Sequence, residues 1–311
     1  MRVLVTGATG FVGRWLVREL VATGHQPLGA EERHDVVEAS SLRSWVASAR
    51  ADAIVHLAAV SYAPDAAADP AAALAINVGG TLNVIEAVRR VDRPPVVLVV
   101  GSSEVYAAPA DDSPIDERSR LGPRGLYGLT KLAQESVALA AAQREGLTLA
   151  VVRPFNHAGP GQRPPFVVPA LARRIAAVRL GAARTIRTGN VDVRRDIGDV
   201  RDVVRAYRLL IERLVERPVD DTVFNVATGE TIAVRDIIER LAEIAGVEAE
   251  IELDPSLVRP DDPPVIRGDA TRLRDLVDWR PQVAIEQTLS DVMTEALAER
   301  GEEDLAHRAR A

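Results

Sequence analysis

Two short segments carry side chains that could do chemistry together. In RGLYGLTK (124–131), Tyr127 and Lys131 stand four residues apart, a spacing that puts both on one face of a helix. An ammonium beside a phenol stabilises the phenolate. The pair therefore predicts a tyrosine whose pKa is drawn down from about 10 toward the working range. Such a phenol can exchange a proton with a sugar or alcohol oxygen while a hydride moves to or from a nicotinamide. In VVGSSEVY (99–106), an apolar run ends at Ser102, Ser103 and Glu104. Ser102 falls where a strand of an open α/β sheet would end, which is where such sheets bind ligands. Its hydroxyl could donate to a reacting oxygen. Glu104 has two readings: a base that takes a proton from carbon, or scaffolding.

A third segment supplies a place for a cofactor. GATGFVG (7–13) sets Gly7, Gly10 and Gly13 between a short apolar strand and a helix. Glycines there allow a tight turn and close approach of backbone to a pyrophosphate, and the helix N-terminus then faces the phosphates. The spacing is GxxGxxG rather than GxGxxG. Glu31 follows Gly13 by 18 residues, at the end of the second strand. An acid there accepts ribose hydroxyls and disfavours a 2′-phosphate, which points to NAD. Arg33 close by would act in the opposite sense and admit NADP.

These segments need a scaffold, and the first half of the chain reads as one. Strands at 2–7, 25–31, 53–59, 95–103 and 148–154 alternate with helices at 11–24, 42–49 and 125–145. A further helix sets Leu74, Val78, Leu82 and Ile85 on one apolar stripe. Strands separated by helices predict a parallel, doubly wound α/β sheet of Rossmann type. The second half is less regular, with helices at 167–180, 202–214 and 234–245 and proline-rich loops at 160–169 and 257–266. The expected organisation is a dinucleotide-binding domain over 1–154 and a smaller α/β substrate lobe over 155–300. Residues 199–228 return to the main sheet, and a charged, flexible tail occupies 301–311.

Composition removes other classes. The chain has 311 residues and no cysteine, which excludes disulfides, thiolate nucleophiles and cysteine-ligated metals. Its five histidines form no i, i+4 pair, so no metal site is expected. A net charge of −7 argues against a nucleic-acid partner. No apolar run of about 18 residues is visible and the chain opens directly on a strand, so no membrane partner and a cytoplasmic location are expected.

GATGFVG, HLAA (56–59), Asn77 in NVGGT, GSSEVY and YGLTK, in this order, resemble the extended short-chain dehydrogenase/reductases, the nucleotide-sugar epimerases, dehydratases and reductases. The resemblance implies a catalytic set of Ser102, Tyr127 and Lys131. It implies that Thr9, Phe11, Val12, Leu57, Ala58, Ala59, Asn77 and Pro154 join the glycines around the cofactor. Within that family, RPFNHAGPGQRPPFVVPALARRIA (153–176), GNVDVRRDIGDVRDVVRAY (189–207) and LVRPDDPPVIRGDATRLR (257–274) are similar to enzymes of GDP-mannose-derived sugars. The 4-keto reductases stand first in that likeness and the 4,6-dehydratases second. Ser103, Glu104, Asn156, Phe166, Val167, Arg195 and Arg259 would then meet the GDP-linked sugar. A dehydratase would use Glu104 as its C5 base, and a 4-epimerase is a third possibility. A non-catalytic cofactor-sensing protein would be expected to lose the tyrosine or lysine that this chain keeps. The family also implies a homodimer joined through a four-helix bundle.

Overall fold

The computed structural model describes residues 1–29, 35–108, 111–217, 219–220, 222–248, 250–258 and 262–308. Glu31, Arg33 and Arg259 lie outside the described residues. The first half contains β1 (Arg2–Thr6), α1 (Phe11–Ala22), β2 (Gln26–Leu28), α2 (Ala39–Ala49) and β3 (Ala53–His56). It continues through α3 (Ala63–Ala68), α4 (Pro70–Leu74), α5 (Gly80–Val88), β4 (Val96–Val100), α6 (Leu126–Glu145) and β5 (Leu149–Pro154). The second half holds β6 (Asn156–Ala158), α7 (Val167–Arg179), β7 (Thr185–Thr188), β8 (Arg194–Arg195), β9 (Ile197–Asp199) and α8 (Val200–Glu216). Then come β10 (Val223–Val226), β11 (Ile232–Ala233), α9 (Val234–Ala245), β12 (Glu250–Leu253), β13 (Val265–Ile266), α10 (Thr271–Val277) and α11 (Ile285–Arg308).

Six strands form one sheet in the order β2-β1-β3-β4-β5-β10, every pair parallel. A fully covered parallel sheet must be apolar on both faces, and the strands here are near-continuous Val, Leu, Ile and Ala. Alternate residues part to opposite sides. Val3, Val5, Leu98 and Val152 pack with α1 and α8, while Leu4, Val97, Val99 and Val151 pack with α2, α5 and α6. Strand order reverses at β1, whose neighbours are β2 and β3. The crevice beyond the carboxyl ends there is the expected ligand site of such sheets.

A separate apolar cluster holds the second half together. Leu171 and Ile175 of α7, Ile237, Ile238 and Leu241 of α9, and Leu289 and Met293 of α11 form it. The short sheets β11-β8-β13, β12-β7 and β6-β9 belong to this side of the molecule.

The helix after β3 departs from expectation in two ways. A π-helical turn, Ala75–Gly79, joins α4 to α5. Its i→i+5 bonding adds a residue to one turn and rotates the apolar stripe. Leu74 and Leu82 are therefore exposed, while Asn77, Thr81, Val84, Ile85 and Val88 are buried. The composite helix Pro70–Val88 also has 19 residues with a hydropathy of 1.5, long and apolar enough to cross a membrane by length and composition. The sequence reading missed it because its leucines, isoleucines and valines are interspersed with Asn77, Gly79, Gly80, Thr81, Asn83 and Glu86 rather than set in one unbroken run. In the fold it packs between α2 and α6.

Candidate active site

One cleft of about 880 Å³ runs from the glycine loop, across the carboxyl ends of β4 and β5, into the second lobe. Gly7, Thr9, Gly10, Phe11, Val12, Gly13, Leu57, Ala58 and Ala59 line its cofactor end. Ser102, Ser103, Glu104, Tyr127, Lys131 and Pro154 line its middle, and Asn156, Phe166, Val167 and Arg195 its far end.

The glycine loop fits a dinucleotide. Gly7 has φ 72°, and a Cβ there would stand 2.9 Å from the Ala58 nitrogen, so only glycine lets the two strand ends approach. The Gly10 N–H donates to the Gly7 carbonyl at 3.0 Å and closes the turn. No side chain caps α1, and its first turn holds no acid, which leaves its N–H groups and positive dipole end open to a pyrophosphate.

Ser102 is extended and buried at the end of β4, and its Oγ accepts the Glu104 N–H at 3.1 Å. That bond starts a 3-10 turn, Ser103–Val105, against which α6 docks. Gly128 makes the docking possible, since a Cβ there would lie 2.5 Å from the Glu104 carbonyl oxygen. Tyr127 is thereby carried to Ser102, which hydrogen-bonds its phenol. The last residue of the motif, Tyr106, is locked from behind. Its hydroxyl donates to Asn225 Oδ1 at 2.7 Å and accepts from Arg153 Nη1 at 2.8 Å. Arg153 in turn pairs with the buried Glu135 of α6.

The electrostatics correct one expectation. Burial, then the nearby Glu104 carboxylate, push the Tyr127 phenol above its ordinary pKa, and the Ser102 bond opposes them only in part. The expected downward shift from Lys131 is absent because that amine, its own pKa lowered by burial, is already neutral where the phenol ionises. Lys131 Nζ donates to the Val100 carbonyl and to Gln134 Oε1, both at 2.8 Å. Burial holds its pKa down at about 7.

Behind Lys131 runs a buried chain of polar groups that the sequence reading did not identify. Thr81 Oγ1 donates to the Asn77 carbonyl at 2.7 Å, so it must accept from Gln134 Nε2 at 3.0 Å and from His56 Nε2 at 2.9 Å. His56 is then the Nε2–H tautomer, and its Nδ1 accepts from Thr6 Oγ1 at 2.7 Å. Thr6 Oγ1 itself accepts the Ala58 N–H at 3.2 Å. Burial, then the positive charge of Lys131, hold the His56 pKa down at about 3, so the imidazole stays neutral. The chain ties the wall of the glycine loop to the amine of Lys131. Gln134 could have been found from its spacing, i+3 from Lys131 on the same helix. His56 and Thr6 could not, since only the pairing of β1 with β3 brings them together.

Asn77 stands apart from the cofactor residues. It is fully buried and absent from the cleft wall. Its Oδ1 accepts the Val60 N–H at 2.8 Å, and its Nδ2 donates to the Val60 carbonyl and to Thr130 Oγ1. Its amide is spent on protein, so it buttresses the wall rather than contacting a ligand. Arg195 lines the cleft but is already charge-compensated, with Nη2 on Asp262 Oδ1 at 2.5 Å and Nη1 on the Pro263 carbonyl at 2.9 Å. His157 of β6 stacks on Phe11, and its Nδ1 donates to the Phe155 carbonyl at 3.0 Å. Phe166 meets Tyr62 edge to face at 5.3 Å. Among the described residues no cluster of His, Asp or Glu could hold a metal ion.

Residues 3–227 match the NAD dependent epimerase/dehydratase family. The chain is 39% identical over 300 residues to a GDP-6-deoxy-D-mannose reductase of Pseudomonas aeruginosa, covering 94% of this chain and 96% of that protein. It is 30% identical over 288 residues to a GDP-6-deoxy-D-talose 4-dehydrogenase of Aggregatibacter actinomycetemcomitans, covering 90% and 93%. Among solved structures, RMD from Pseudomonas aeruginosa complexed with NADPH superposes with a TM-score of 0.87 at 37% identity, over 96% of this chain and 99% of that one.

Proposed function

The chain belongs to the NAD dependent epimerase/dehydratase family, and from that premise we propose that it reduces the C4 ketone of GDP-4-keto-6-deoxy-D-mannose. NAD(P)H, when bound, supplies the hydride to C4. Tyr127 supplies the proton to the C4 oxygen, and the ketone becomes an alcohol in a GDP-rhamnose-type product or its C4 epimer.

The observation that carries this reading is the buried Tyr127 side chain in the cleft wall. It is bonded to Ser102, where the cofactor end of the cleft meets the sugar end. A raised pKa keeps the phenol neutral at working pH, which is the form a proton donor needs. An alkoxide forming at C4 is a far stronger base than a phenolate, so the transfer runs downhill. Ser102 Oγ orients the ketone oxygen, and the Lys131 ammonium, one helical turn from Tyr127, holds the nicotinamide ribose. In this division of labour residues 1–154 hold the cofactor. Residues 155–300 hold the nucleotide sugar, with Asn156, Phe166 and Val167 along the cleft wall and Arg195 toward the diphosphate.

A second reading, a 4,6-dehydratase, draws on the carboxylate of Glu104 in the same cleft, close enough to Tyr127 to bias its proton. One assay separates the two. Supplied with the 4-keto sugar, a reductase consumes one equivalent of NADH or NADPH per sugar. Supplied with GDP-mannose alone, a dehydratase yields a 4-keto product with no net cofactor consumption. Glu104→Gln leaves a reductase within a few-fold of wild type and disables a dehydratase.

The exposed leucines of two neighbouring helices support a homodimer. Leu74 and Leu82 of the Pro70–Val88 helix and Leu129 of α6 lie outward, and pairing both helices with a second copy would form a four-helix bundle. The cytoplasm is the expected setting of such an enzyme.

A further inference from the structure

Tyr207 is fully buried, with 0% of its surface exposed, yet its hydroxyl makes no hydrogen bond among the described residues. A buried hydroxyl without a partner forfeits its solvation, and such a group in a native fold calls for an explanation. The side chain is part of the cleft wall that also contains Val100, Pro154, Phe155 and Tyr127. We propose that the Tyr207 hydroxyl is a docking group for the nicotinamide end of the cofactor, donating a hydrogen bond to its carboxamide.

The position follows from α8. Asp199 caps that helix by accepting the Arg201 N–H at 2.8 Å, and Asp202 accepts the Gln282 and Val283 N–H groups at 2.9 and 2.8 Å. Val200, Val203, Val204 and Tyr207 share one helix face, and all enter the core beneath the main sheet. Val200 is fully buried and packs against Gly159, where a Cβ would meet its side chain at 2.6 Å. Tyr207, two turns on, lies under the ends of β4 and β5. A dinucleotide anchored by its pyrophosphate at the glycine loop puts its adenosine toward β2 and its nicotinamide toward β4. The sugar-facing residues Asn156, Phe166 and Arg195 come from the other lobe. Burial first, then the neighbouring Tyr127, raise the Tyr207 pKa, so the phenol is a donor at working pH.

This inference rests on the cofactor reading above, and the test keeps the two apart. Binding of NADPH and of 2′-phospho-ADP-ribose, which lacks nicotinamide, is measured by calorimetry for wild type and Tyr207→Phe, with thermal unfolding of each ligand-free protein. One neutral hydrogen bond corresponds to roughly a 3- to 10-fold change. The expected result is NADPH binding weakened by about that factor in Tyr207→Phe, 2′-phospho-ADP-ribose binding unchanged, and ligand-free unfolding at the same or a higher temperature. Equal NADPH affinity in the two proteins overturns the docking role. So does equal weakening of both ligands, or a less stable ligand-free variant, which means the hydroxyl already has a partner. Wild type that binds neither NADPH nor NADH overturns the cofactor reading itself.

Discussion

Tyr127, Ser102 and Lys131 divide one proton transfer among them, and each can be tested alone. Removing the phenol hydroxyl removes the proton donor. Tyr127→Phe is expected to lower kcat by about 10²- to 10⁴-fold, the range of general acid catalysis, while calorimetry finds NADPH binding intact. Unchanged turnover would refute the mechanism. Lys131 sets a pH limit. Its pKa, held down at about 7, means the ammonium prevails below that pH and is lost above it. Since kcat/KM reports ionisations of the free enzyme, reduction should fall as pH rises through about 7. In Lys131→Arg, whose guanidinium stays charged, that alkaline limb should vanish even where the rate is low. A pH profile identical to wild type would place the ionisation elsewhere. Tyr127 adds no limb there, because its own shift is upward.

At the scale of elements, the site depends on how closely α6 lies on the turn after β4. Gly128 is the contact point, with no room for a Cβ between the Glu104 carbonyl and Pro123. Gly128→Ala is expected to cost about 1–3 kcal/mol, the usual penalty of overpacking, and to part Tyr127 from Ser102. Thermal unfolding and kcat should therefore fall together, with KM for NADPH little changed. A variant as stable and active as wild type would show that the helix is free to shift. The same interface is braced by the buried Arg153–Glu135 pair, which also clamps Tyr106. The GSSEVY segment thus serves two masters, with Ser102 facing the cleft and Tyr106 the scaffold.

At the scale of the whole molecule, the outward leucines are the feature a lone monomer does not account for. Leu129 is 53% exposed near the start of α6, and Leu74 and Leu82 are exposed on the helix that packs against α6. Light scattering on a sizing column should report a dimer for wild type and a monomer for Leu129→Glu, with NADPH binding retained. A wild-type monomer at micromolar concentration would remove the bundle.

Much of this was legible in the chain before folding, and the reason is range. Glycine spacing, apolar alternation and the Tyr127–Lys131 interval are short-range patterns. They determined the α/β sheet, the cofactor loop and the catalytic helix face. Ser102 was placed by the end of its strand. What tertiary structure alone decided are sums over distant neighbours. The π-helical turn moved Leu74 and Leu82 outward and Asn77 inward. Burial beside Glu104 reversed the expected shift of Tyr127, while the Val100 carbonyl and Gln134 took up Lys131. Tyr207 was invisible as a site residue because its cleft neighbours lie far away in sequence. A tyrosine on a helix face shared with Val200, Val203 and Val204 reads as core until the fold sets it among the residues of the cleft wall.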